Sequence, residues 1–264
     1  MELSPIERLD DALLRLISRV VWRNPARRIL KMYEFSYTEE DSFRDMAQAA
    51  DRTSDDAMRP KYMLHALDEA RHADLFRERA GALIRKLDAA GVSIAPIRRA
   101  MEKKRSGAIR LHEENHRNTL FETLGELEFL AFVYIAERRG AQQFRVYRDL
   151  LSDDPETEAM FARIMRDEKF HMSYSKAALD KLAKAGRAGA VRWAMVRVKA
   201  RRYWQAWLRF SHRVATFMNG LMFTLLYFLL VAPTHLLSSS KDEAKGWRVP
   251  APPAPTLDAV RHQF

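Results

Sequence analysis

The stretch HALDEARH, His65 to His72, decides how the rest of the chain is read. It sets two histidines, two acids and an arginine into eight residues that otherwise carry a helical pattern. Residues three and four apart share a helix face, so His65, Glu69 and His72 fall on one stripe. Ionisable groups on a core-facing stripe are costly unless they are paired, protonated or bound to a cation. The arrangement returns later in the chain. DEKFH at 167–171 repeats DEARH at 68–72, and Glu168 and His171 are again three apart.

Two such Glu-x-x-His pairs on separate helices can each hold a metal ion, and helical phase points to their partner acids. Met32, Phe35, Glu39, Phe43, Met46 and Ala50 form one apolar stripe with a single acid in it. Glu40 lies about 100° away from that stripe, and Glu34 nearly opposite. Glu126, Leu130, Val133, Glu137, Ala141 and Phe144 form the equivalent stripe further on. Glu137 precedes Glu168 by 31 residues and Glu39 precedes Glu69 by 30, so two antiparallel hairpins would bring these acids to similar heights. Glu126 is about 16 Å further along its axis, too far to serve the same centre. A third Glu-x-x-His, Glu113 to His116, sits in a polar connector and reads as solvated surface.

The pattern Glu39, Glu69-x-x-His72, Glu137, Glu168-x-x-His171 resembles the ferritin-like diiron-carboxylate superfamily, over roughly residues 28–185. DEARH also resembles the D-E-x-R-H motif of its oxygen-activating members. The resemblance implies an all-α, ferritin-like four-helix bundle with Glu39, Glu69, His72, Glu137, Glu168 and His171 as ligands of two iron ions. Manganese suits the same oxygen and imidazole donors. It also implies that Asp68 and Asp167 orient the ligand histidines and that Arg71 supports them, with Phe170 standing where a second Arg would be. His65 has two readings: a core or hydrogen-bonding histidine, or a third histidine ligand as in some N-oxygenating relatives. Tyr62 and Tyr174 read as core residues or as hydrogen-bonding or redox-active tyrosines.

The absence of Cys excludes disulfides, thiolate zinc sites, cysteine-held iron–sulfur clusters and a Cys nucleophile. The start, MELSPIERLDD, carries acids where an export signal needs a basic, then apolar, run, so no cleaved signal is expected. The formal net charge of +10 suits an anionic partner, and its placement favours a membrane over nucleic acid. RWAMVRVKARRYWQAWLRFSHR is basic and aromatic, and Val214–Leu237 directly after it contains no Asp, Glu, Lys or Arg. As a helix that run would be about 36 Å long, enough to cross a bilayer. Asn219, Gly220, Thr224 and Pro233 dilute it, so an interfacial anchor and a buried core helix stay open beside a span. The Lys/Arg excess before it would put the bundle on the cytoplasmic side of the cytoplasmic membrane.

The expected organisation is an N-terminal amphipathic helix (1–27), the diiron bundle (28–186), a basic aromatic segment with a membrane anchor (187–240) and a Pro-rich tail (241–264). The expected function is a non-haem diiron oxidoreductase of hydroxylase, monooxygenase or desaturase type. It would use O2 as co-substrate on an apolar or lipid-like substrate. The alternatives are ferroxidase or iron-handling activity and a rubrerythrin-like peroxidase. Expected partners are membrane lipid and an external electron donor, a reductase or ferredoxin. A homodimer is compatible with this reading.

Overall fold

In the computed structural model the backbone is described for residues 5–104 and 120–237, and among them there is helix and no strand. The helices are α1 (Pro5–Trp22), α2 (Pro25–Arg52), α3 (Arg59–Ala89), α4 (95–104), α5 (Leu120–Asp149), α6 (Pro155–Leu182), α7 (Ala188–Leu226) and α8 (Ala232–Leu237). The Glu113–His116 motif and the Pro-rich tail 241–264 lie outside the described residues.

Local chemistry sets the boundaries. Asn24 caps α2 by accepting from the Arg27 backbone N–H at 3.1 Å, and Pro25 supplies a first-turn residue that needs no N–H partner. Asp154 and Pro155 do the same for α6. Gly91, with φ 73°, ends α3 in a conformation that Cβ-bearing residues avoid. The sequence predicts an unbroken helix over 117–151. Instead α5 breaks at Gly125 (φ 70°, ψ 160°), a conformation outside any helix that glycine alone adopts freely. A second interruption, at Ala185 and Gly186, opens a π turn (Ala183–Arg187) between α6 and α7.

Residues Met1–Arg202 form one compact unit and Tyr203–Phe264 another. The first unit therefore reaches beyond 186, and Ala194 and Val198 of α7 are buried within it. In this unit α2 packs along α3 and α5 along α6, while α3 meets α6 and α2 meets α5. Two apolar clusters result. One gathers Ile29, Met32 and Phe35 with Phe76, Phe144 and Phe161. The other gathers Met46 and Ala50 with Tyr62, Phe129, Val133 and Tyr174. On each of the four helices the polar residues singled out above fall between these clusters. Two dry layers thus enclose one polar layer.

Buried ion pairs join the elements at one end. Arg28 donates to the Trp22 carbonyl at 2.6 Å and to Asp154 at 3.1 Å, and Arg79 donates to Thr157 at 2.7 Å and also pairs with Asp154. In the second unit the large side chains of the apolar run are exposed, Phe217, Phe223 and Leu229 among them. Among the described residues one helical run, within Pro155–His235, is long and apolar enough to cross a membrane by length and composition.

Candidate metal centre

Six of the predicted positions meet in the polar layer. Glu39 comes from α2, Glu69 and His72 from α3, Glu137 from α5, and Glu168 and His171 from α6. Glu137 is half-buried and the other five are buried. Glu40 does not join them. It faces Arg44 at 2.6 Å and Arg77 at 2.5 Å, as its phase requires. Glu126 accepts from the Thr53 hydroxyl at 2.7 Å, away from the cluster.

The histidines are held in a defined tautomer. His72 Nε2 lies 3.1 Å from Asp167 Oδ2, and His171 Nε2 lies 3.1 Å from Asp68 Oδ2. A carboxylate can only accept, so each Nε2 carries the proton and each Nδ1 keeps a lone pair. Each aspartate therefore orients the histidine of the other motif, across the α3–α6 contact. Arg71 ties the aspartates together by donating to Asp68 at 2.7 Å and to Asp167 at 2.9 Å. One arginine serves both sides, so Phe170 leaves no gap in the network and is itself partly exposed.

The lone pairs converge on carboxylates. His72 Nδ1 is 3.8 Å from Glu69 Oε2 and 3.7 Å from Glu168 Oε1. His171 Nδ1 is 3.7 Å from Glu69 Oε1 and from Glu168 Oε2. These separations exceed hydrogen-bond length. Two ligands each about 2.1 Å from one ion stand about 3.0 Å apart at a right angle, about 3.4 Å at the tetrahedral angle and about 4.2 Å when opposite, a range that spans these separations. Glu69 Oε2, His72 Nδ1, Glu168 Oε2 and His171 Nδ1 are all buried without a hydrogen-bond partner. Buried donors and acceptors are almost always satisfied. Four orphans aimed at one another are what a cation would satisfy, so these buried His and Glu groups could hold a metal ion. Two overlapping sets arise, Glu39 with Glu69 and His72, and His65 with Glu69, Glu137 and His171.

His65 lies inside this layer, fully buried and stacked on His171 with ring centroids 3.5 Å apart. Its Nε2 is 2.8 Å from Glu69 Oε1 and 3.2 Å from Glu137 Oε1, and its Nδ1 is 2.7 Å from the Tyr174 hydroxyl. Sequence did not reveal the Tyr174 contact. The spacing of Tyr174 three residues after His171 was the available signal, but a tyrosine there equally fits core packing.

Without a cation the acids share protons. Burial, reinforced by Glu69 and Glu137, pushes Glu39 well above the usual carboxylate range. Burial and the Glu137 charge do the same to Glu168. Burial would also raise Glu69, but the hydrogen bonds from Glu39 and His65, and the charge of His65, hold it well below the usual carboxylate range. Burial would lower His65, yet its bonds to Glu137 and Glu69 bring it up to about 9. The cation-free layer thus holds two proton-sharing carboxyl pairs and an imidazolium. His171, buried beside charged His65, is pushed down and stays neutral.

Comparison with known proteins finds no matching family model, no matching curated protein and no matching solved structure. The functional reading therefore rests on the residues themselves.

Proposed function

We propose that this chain is a membrane-tethered, ferritin-like diiron protein that uses O2 to oxidise an apolar substrate. In this reading α2, α3, α5 and α6 are the four helices of the bundle. The observation that carries it is the placement of Glu69 and Glu168. Each puts its carboxyl oxygens 3.7–3.8 Å from both histidine Nδ1 atoms, so Glu69 and Glu168 would hold metal together with both histidines. Glu39 and His72 complete one half, and Glu137 and His171 the other. Oxygen and imidazole donors fit iron, with manganese next.

Iron(II) ions bound there would supply two electrons for the reduction of O2, the substrate C–H bond the other two, and an external donor with two protons would restore iron(II) and complete the water. The chain's own residues do the rest. Asp68 and Asp167 keep both histidines in the ligating tautomer, and Arg71 holds the aspartates in place. The aromatic and aliphatic layers on either side exclude water. His65, bonded to Glu69, Glu137 and Tyr174, holds a proton at Nε2 next to the carboxylates. A chain without Cys carries no iron–sulfur relay of its own, so a separate reductase or ferredoxin is implied.

The uncharged run Val214–Leu237 ties the activity to a bilayer and so to an apolar, lipid-like substrate. The Lys/Arg-rich flank before it favours the cytoplasmic side for the bundle. The test is to load the purified chain with Fe(II) without oxygen, admit O2 and follow its consumption. The reading expects about one O2 per two iron(II) in a fast phase. Loss of O2 only while Fe(II) is continuously supplied would assign the centre to iron oxidation. Faster reaction with peroxide than with O2 would assign it to peroxide reduction. An iron-loaded protein inert to both would end the oxidoreductase reading. Comparison of lipid extracts with and without the chain then addresses the substrate.

A further inference from the structure

Helix α1 carries two apolar faces, and among the described residues only one of them is covered. Trp22 and Ser18 are buried on the inner face. Trp22 lies edge-on to Phe161 with centroids 5.6 Å apart and against Tyr147 at 4.9 Å. Arg15 adds an ion pair to Asp149 of α5 at 3.4 Å. These contacts fix how α1 is turned about its axis. They leave Leu13, Leu16, Ile17 and Val20 pointing outward, with exposures of 53%, 63%, 56% and 58%. Their spacing of 3, 1 and 3 makes one continuous stripe.

Single exposed apolar residues need no explanation, but a contiguous stripe on a helix already anchored by its other face does. Arg19 and Arg23, both exposed, lie side by side along one edge of the stripe, one turn apart. An apolar ridge with a basic margin is the pattern of a helix that lies in the headgroup layer of an anionic bilayer. Four side chains in a row form too narrow a strip for a stable protein interface. Self-association about a two-fold axis would also set two basic margins near each other.

We propose that the outer face of α1 docks on an anionic membrane surface, as a second contact independent of the uncharged run at 214–237. Leu13, Leu16, Ile17 and Val20 enter the acyl boundary, and Arg19 and Arg23 meet lipid phosphates. The inference rests on the proposed membrane location of the chain and not on the metal centre. Docking of α1 would give the first unit a lipid contact of its own.

The lack of native Cys makes the test direct, because any introduced cysteine is the sole labelling position. An environment-sensitive fluorophore is placed at Leu16→Cys, at Leu225→Cys in the uncharged run, and at Asp56→Cys in the exposed turn before α3. Each full-length chain is reconstituted in phosphatidylglycerol/phosphatidylcholine vesicles that contain a lipid-borne quencher. Quenching at 16 that exceeds quenching at 56 by about twofold or more, and that falls in the Arg19→Glu, Arg23→Glu background, is the expected result. Quenching at 225 with none at 16 overturns the docking of α1 while leaving the membrane reading intact. Quenching at neither position overturns both. Equal quenching at 16 and 56 overturns a specific α1 contact. Protection of position 16 in detergent without lipid, rising with protein concentration, would assign the stripe to a second copy of the chain and overturn the lipid proposal.

Discussion

Glu168 faces opposite demands in the metal-free and metal-loaded chain. Without a cation it is a buried carboxyl whose protonated form is favoured by burial and by the Glu137 charge. With one it must be an anion. Glu168→Gln keeps the volume and removes the charge. The metal-free variant should therefore be as stable as the parent, or more stable by about 1 kcal/mol. Its stabilisation by added Fe(II) or Mn(II) should largely disappear. Thermal melts with and without metal check both signs. The same protonation pattern predicts proton release. Glu39 and Glu168 are raised well above the usual carboxylate range, so protons compete with a cation for them. Metal affinity should thus weaken as pH falls, and titration of metal into unbuffered protein should acidify the solution. Arg71 is argued to act through the aspartates. Arg71→Leu should weaken metal binding by about 10–100-fold, as is usual for groups that orient ligands, with little change in fold. A competition assay with a chromophoric chelator measures it.

At the scale of elements, Asp154 joins three helices. It caps α6, and its carboxylate receives Arg28 of α2 and Arg79 of α3. Asp154→Ala should cost about 3 kcal/mol or more, since it removes a cap and strands a buried guanidinium. Burial would raise Asp154, but the bonds from Thr157 and the Arg79 charge hold it below its usual value. A depressed carboxyl stabilises the fold fully above its unfolded value near ~4 and loses that contribution as pH falls through its folded value. The variant's deficit should accordingly shrink in acid below about pH 4, which urea melts across that range can follow. Gly125→Ala should cost about 1–3 kcal/mol through its backbone conformation (φ 70°, ψ 160°) alone, because open space surrounds the position where a Cβ would stand.

Much of this architecture was legible in the helical periodicity. The apolar stripes of α2 and α5 put Glu39 and Glu137 on core-facing positions, and the structure brings both beside Glu69. What was not legible is tertiary. Asp68 serves the histidine of the other motif, a relation that exists only once α3 and α6 are packed. One arginine spanning both aspartates makes a second unnecessary, which no local rule foretells. The break at Gly125 was missed because a lone glycine inside a periodic stretch is ordinarily tolerated. The outward stripe of α1 was hidden because periodicity reports an apolar face but not which of two faces is covered.

At the scale of the whole molecule, the polar layer lies between two apolar ones on every one of the four helices, so cation binding and folding are linked. A cation that binds only the folded chain should raise its stability by about 2.7 kcal/mol at a hundred times its dissociation constant. A chelator should reverse the gain. Among its described residues the second compact unit exposes a long apolar surface. Detergent or lipid should thus be needed to keep the full chain in solution.

The central claim is a two-iron centre that Glu69 and Glu168 would hold together with His72 and His171. It is tested most directly by anaerobic equilibrium dialysis of the full-length chain against Fe(II), with the bound metal counted by mass spectrometry. Two iron ions per chain, falling to one or none in Glu69→Ala and Glu168→Ala while both variants keep their helical circular dichroism, is the predicted result. No bound iron in the parent chain, or an amount that neither substitution changes, would contradict it.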